Sequence, residues 1–94
     1  MRKNFKRINY SRKFLKQLKK SPLVIKIAFR KRLGLFLEEP FSFRLNDHSL
    51  TGKYLNYRSI NITGDWRAIF EEFGEGEDKE VLFVALGTHS QLYK

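Results

Sequence analysis

The stretch that most constrains this chain is Val81-Leu82-Phe83-Val84-Ala85-Leu86, a near-continuous apolar run that stops at Gly87. Such a run, within Lys79–Gly87, reads as a strand in a central position, covered on at least one face. The residues before it alternate with a period of two. "YRSINIT" reads as one strand, Thr63-Gly64-Asp65 as a tight turn and "WRAIFEEF" as its hairpin partner. The acidic, glycine-rich "GEGED" forms the next turn. Short turns between successive strands predict an antiparallel meander.

The first half of the chain has a different rhythm. Phe14, Leu15 and Leu18 recur at helical spacing, with Ser11 as N-cap. Ser21-Pro22 predicts a second helix start, serine capping and proline at the first helical position. That helix runs to about Glu38 along a ridge of Val24, Ile27, Ala28, Lys31 and Leu35, and Pro40 ends it. Residues 4–9 read as a first strand, residues 40–56 mostly as loop, and the closing "THSQLY" is too short to classify.

The expected order is β-α-α-β-β-β, an α+β fold with two helices on one face of a small, mainly antiparallel twisted sheet. The first strand joins the sheet edge or lies beside the last strand. The opposite face stays open as a concave surface for a ligand. With 94 residues, the chain is expected to be a single domain, 1–94.

Nineteen Lys and Arg against ten Asp and Glu give a formal net charge of +9. That field suits a polyanion such as nucleic acid, or an acidic protein. The absence of cysteine excludes disulfides and cysteine-bound zinc and makes a reducing cytoplasm the expected compartment. No apolar run is long enough to span a membrane, and the basic N-terminus lacks the apolar segment of a secretory signal.

Few chemistries fit. There is no phosphate-binding glycine loop and no Gly-x-Ser-x-Gly elbow. Two histidines far apart, His48 and His89, without cysteine, make no case for a metal site. The remaining parts suit metal-free RNA cleavage, in which the ribose 2′-OH attacks the adjacent phosphorus. That reaction needs a base, an acid for the 5′-oxygen and a cation for the phosphorane. His48, Asp65, Arg67 and His89 are the candidates, with Tyr93 stacking on a base or donating to phosphate.

The motifs from residue 46 onward go further. They run Asp47-His48-x-Leu50-x-Gly52, then Tyr54, Tyr57-Arg58 and Asp65-Trp66, and close with Gly87-Thr88-His89-x-x-Leu92-Tyr93. Together they resemble the YafQ branch of the RelE/ParE toxin superfamily. The likeness covers the whole chain in element order and residues 46–93 in motif. It implies a RelE-like fold and a type II toxin that cuts mRNA on the ribosome without metal or cofactor, inhibiting translation. It also implies an acidic antitoxin as partner, through which the complex binds operator DNA.

On the matching positions, His48, Asp65, Trp66, His89 and Tyr93 fall on the family's active site. His89 would be the general acid, and His48 or Asp65 the base or its orienting group. Tyr93, where phenylalanine is common, would help place the nucleotide. Two positions depart: Asn61 stands where a histidine is frequent, and Ala85 where an arginine is. Arg67 would supply that cation, since related RelE-type toxins place an arginine there; Lys53 and Arg44 are weaker substitutes. The catalytic set is thus His48, Asp65, Arg67 and His89, with Lys53, Trp66 and Tyr93 against the RNA. Arg58 is expected to pair with a carboxylate and brace loop to sheet. The alternatives are a ParE-like gyrase inhibitor, disfavoured by the retained histidines, or a catalytically weakened basic RNA-binding domain.

Overall fold

Ser11 turns the chain from strand to helix. Its Oγ accepts from the Phe14 N–H at 3.0 Å and donates to the Val84 carbonyl at 3.2 Å. One hydroxyl therefore caps α1 (Arg12–Lys20) and ties it to the last strand. Before it runs β1 (Arg7–Tyr10), and after it α2 (Leu23–Glu38). The rest of the chain gives β2 (His48–Ser49), a 3₁₀ turn at Gly52–Tyr54, β3 (Arg58–Asn61), β4 (Trp66–Phe73), a second such turn at Gly76–Asp78, β5 (Glu80–Thr88) and α3 (His89–Leu92). The structure, a computed structural model, describes Phe5 and residues 7–93. Of the strand expected over 4–9, residues 4 and 6 lie outside that range, and the described strand reaches one residue further, to Tyr10.

The five strands form one sheet in the order β1-β5-β4-β3-β2. β1 pairs parallel with β5 and every other pair is antiparallel. The first strand thus lies both at the edge and beside the last strand. The apolar run of β5 is central, as expected of it. Between Ile69 and Phe70 of β4 the register slips, so that Val84 is an extra residue on β5. This bulge keeps Phe83 and Leu86 on one face while Ala85 and Gly87 share the other.

α1 and α2 cover the first face. Phe14, Phe36, Phe70 and Phe83 are completely buried there. Phe14, Phe29 and Phe83 meet with centroids 5.2–5.5 Å apart. Each ring contributes roughly 1.5–3 kcal/mol by burial alone.

Three expectations need correction. The α2 ridge that enters the core is Ile25, Phe29 and Phe36, whereas Val24 and Ile27 are exposed. Apolar residues surround this helix on all sides, and the aromatic partners beneath it select the ridge. Ser21 does not cap α2. Its Oγ donates back to the Leu18 carbonyl at 2.7 Å and closes α1, while Pro22 takes the N-cap position. The second sheet face is not bare either: Tyr54, Ile69, Ala85 and Leu92 form a small buried cluster on it. The 50–57 segment and α3, which the sequence left as loop and unclassified tail, supply that cover.

Candidate active site

The site is built by the β4–β5 register. Trp66 pairs with Thr88 and Arg67 with Gly87, so two motifs distant in sequence meet at one end of the sheet. Alternation along the strands then sorts their side chains. Arg67 shares a row with Asn61 and Gly87 on the face away from α1 and α2. The next row on that face is His48, Ser59, Ile69 and Ala85.

The tail turns sharply after Gly87. A Cβ there would lie 3.1 Å from the Gln91 Oε1 and 3.5 Å from Leu92, so glycine lets α3 fold back against its own strand. Thr88 and Gln91 form a reciprocal capping box: Thr88 Oγ1 accepts from the Gln91 N–H at 3.2 Å, and Gln91 Oε1 accepts from the Thr88 N–H at 2.9 Å. His89 is therefore the first residue of a fixed turn. Its exposed ring lies on Tyr93, with centroids 4.8 Å apart. Tyr93 meets Tyr54 edge-on at 5.5 Å, and Tyr54 meets Tyr57 at 6.3 Å. Lys53 Nζ donates to the Leu92 carbonyl at 3.1 Å and sits 5.4 Å above the Tyr54 ring. Burial, and then the neighbouring Tyr93, push the Tyr54 phenol above its ordinary 10.0.

Arg67 Nη1 donates to the Thr63, Gly64 and Trp66 carbonyls at 3.3, 3.0 and 3.3 Å. The guanidinium is thereby held against the Thr63–Asp65 turn. Beside it, the buried Oδ1 of Asn61 has no hydrogen-bond partner among the described residues. Asp65 lies exposed in the hairpin turn, next in sequence to Trp66, just as His89 follows its strand partner Thr88.

His48 stands further out. Its Nδ1 lies 2.6 Å from the Asn46 carbonyl, which can only accept, so Nδ1 is the donor in that contact and Nε2 is the nitrogen left facing outward from it. It shares the face of Arg67, but β2 is three strand spacings from β5, about 14 Å at ~4.8 Å each. Trp66 points the other way. It packs against the helix-covered core and lines a concavity of about 280 Å³ with Gln17, Lys20, Ser21, Leu86 and Gln91. The arrangement gathers Arg67, Asp65, His89 and Tyr93 at one end, places His48 on the same face at the edge, and sets Trp66 behind them.

Arg58 braces the loop as anticipated: its Nε donates to Asp47 Oδ1 at 2.8 Å, and the Asp47 side chain is only 8% exposed. The clamp formed by Lys53, Tyr54 and Leu92 was not foreseen. The Thr88-x-x-Gln91 capping box was its available signal, since it announces a helical turn that returns Leu92 and Tyr93 to the sheet. Among the described residues no three His, Cys, Asp or Glu side chains gather as a metal site.

A family model described as the bacterial toxin of type II toxin–antitoxin systems, YafQ, matches residues 2–94. The chain belongs to the YafQ toxin family. A protein of Haemophilus influenzae named as a YafQ toxin is 30% identical over 91 residues, spanning 90% of this chain and 89% of its own length. The crystal structure of YafQ from Escherichia coli strain BL21(DE3) is similar with a TM-score of 0.72 at 26% identity, covering 93% of this chain and 97% of that one. The E. coli DinJ-YafQ toxin–antitoxin complex contains a chain of the same fold, with a TM-score of 0.68 at 23% identity over 93% and 96% of the two chains. Membership of the YafQ family makes the chain a toxin of the type II toxin–antitoxin class.

Proposed function

We propose that this toxin is a metal-independent endoribonuclease that cuts mRNA in the ribosome and so inhibits translation. The carrying observation is the pairing of Trp66 with Thr88, which brings Asp65, Arg67 and His89 to one end of the sheet. In the proposed reaction the ribose 2′-oxygen bonds to phosphorus and the bond from phosphorus to the 5′-oxygen breaks. The products are a 2′,3′-cyclic phosphate and a 5′-hydroxyl. His89 gives its proton to the departing oxygen. Asp65, or His48 through Nε2, takes the proton of the 2′-hydroxyl. Arg67 stabilises the charge that builds on the phosphorane, a role worth several kcal/mol in a water-poor site. Tyr93 holds the nucleotide and the ring of His89 together, and Lys53 holds the tail that carries both residues through the Leu92 carbonyl.

The antitoxin reading rests on family membership and on charge. A formal +9 surface calls for an acidic partner, and the E. coli relative is known in complex with DinJ. Binding of operator DNA would then come through that partner.

The test is brief expression followed by mapping of mRNA 5′ ends in translating and translation-blocked cells. Translation-dependent cuts that vanish with His89→Ala are the expected result. Unchanged cutting in that variant removes His89 from the mechanism, and DNA damage without mRNA cuts points to gyrase instead.

A further inference from the structure

α1 carries five cations and no acidic residue. Arg12, Lys16 and Lys20 follow one another at four-residue intervals, a ridge of charges about 6 Å apart along the helix axis. With Lys13 and Gln17 they line one surface hollow. Gln17 and Lys20 also line the next hollow, whose far wall is Trp66, Leu86 and Gln91. The two are therefore continuous. Gln91 belongs to the same single turn of helix as His89, and Trp66 is the neighbour of Arg67. The basic ridge thus leads to the sheet end where the proposed chemistry lies, but along the helix side rather than the open face.

From this continuity we propose that α1 is a track for the single RNA strand flanking the cut, with Trp66 stacking a base where the strand rounds the sheet end toward Arg67 and His89. The proposal rests on the nuclease reading and gives Trp66 a task that its orientation otherwise denies it. Strand phosphates match a ridge of cations on a helix that carries no acidic residue, and an indole face accepts any base. A protein partner fits this face less well. The exposed apolar side chains of the helical layer, Leu15, Leu23, Val24 and Ile27, are not among its lining residues, and Leu15 lines the separate groove between α1 and α2.

A short RNA methylated at every 2′-oxygen supplies the probe, because it binds but lacks the nucleophile for cleavage. Trp66 is the only tryptophan, so its fluorescence reports the junction directly. The full chain is compared with Lys13→Glu/Lys16→Glu and with Lys26→Glu/Arg30→Glu, a control of equal charge change on α2. The expected result is a loss of about tenfold or more in affinity for the α1 pair alone, with a salt slope shallower by about 1.4 for two lost phosphate contacts. Trp66 quenching should persist in the control. Equal losses in both variants, absence of quenching in the parent chain, or a polyglutamate peptide binding α1 as tightly as the RNA would each overturn the track. If the methylated RNA binds through α1 while unmodified mRNA is never cut on ribosomes, the nuclease reading falls and the track stands.

Discussion

The Lys53 ammonium is bonded to the last carbonyl of α3, that of Leu92, at 3.1 Å. This contact joins the Gly52–Tyr54 turn to the helix that begins with His89, and Tyr54 and Tyr93 seal it edge to face. Gly52 makes the turn possible, since its φ of +64° lies where side chains are disfavoured. The basic residue therefore sits where it can set the angle of the tail. Lys53→Met is expected to lower stability by only about 1 kcal/mol, the worth of one hydrogen bond. The single-turnover cleavage rate should fall clearly further than substrate affinity does. Single-turnover assays with denaturant titrations check this, and a pure loss of affinity would make Lys53 a simple phosphate contact.

The pair of Arg58 and Asp47 predicts a stability defect rather than a chemical one. Arg58→Met leaves a nearly buried carboxylate without its cation, and should destabilise the fold by about 2–4 kcal/mol. Thermal unfolding measures it. The doubly neutral Arg58→Met/Asp47→Leu chain should recover part of the loss, because the orphaned charge is gone.

Ala85 yields a prediction against restoring the family's arginine. It is 1% exposed and shares a closed cluster with Tyr54, Ile69 and Leu92. The space a guanidinium would need is filled. Ala85→Arg should therefore destabilise by at least ~2 kcal/mol through overpacking and charge burial, without raising cleavage. A stable, more active variant would show that the cluster opens.

Alkaline pH should weaken the fold. Burial raises the phenols of both Tyr10 and Tyr54 above 10.0. Above about pH 10 an unfolded chain loses those protons while the folded one retains them, so stability is full below that value and falls as pH rises through the folded values. Denaturant midpoints measured across this range should drop, and less steeply in Tyr54→Phe.

The strands were legible because their signals are local. The Trp66–Phe73 partner strand follows from period-two alternation on either side of a Thr-Gly-Asp turn, and the position of β5 from its apolar density. Ser11 announced its cap. The ridge of α2 was not legible: its apolar residues leave several stripes open, and Phe14, Phe70 and Phe83, distant in sequence, decide among them. The last turn of helix is too short to persist unaided, so only its landing on Ala85 and Ile69 makes it real. At the site, alternation alone places Arg67 opposite the core. It equally places Trp66 on the other side, but a motif read as a unit hides that split. The convergence of Tyr54 with Tyr93 depends on a contact across the sheet that no spacing announces.

The parallel pairing of β1 with β5 carries a consequence for synthesis. Arg7 to Tyr10 are made before residues 80–83, with which they pair, and Phe14 waits for Phe83 before its pocket is complete. Until the chain has been translated through Thr88 the sheet lacks the strand that joins β1 to β4, and Arg67 has no Gly87 beside it. Nascent chains fold from contacts already available, and the decisive ones here span most of the molecule. Assembly of the sheet therefore waits on β5, and the two halves of the candidate site meet in one cooperative step rather than piece by piece.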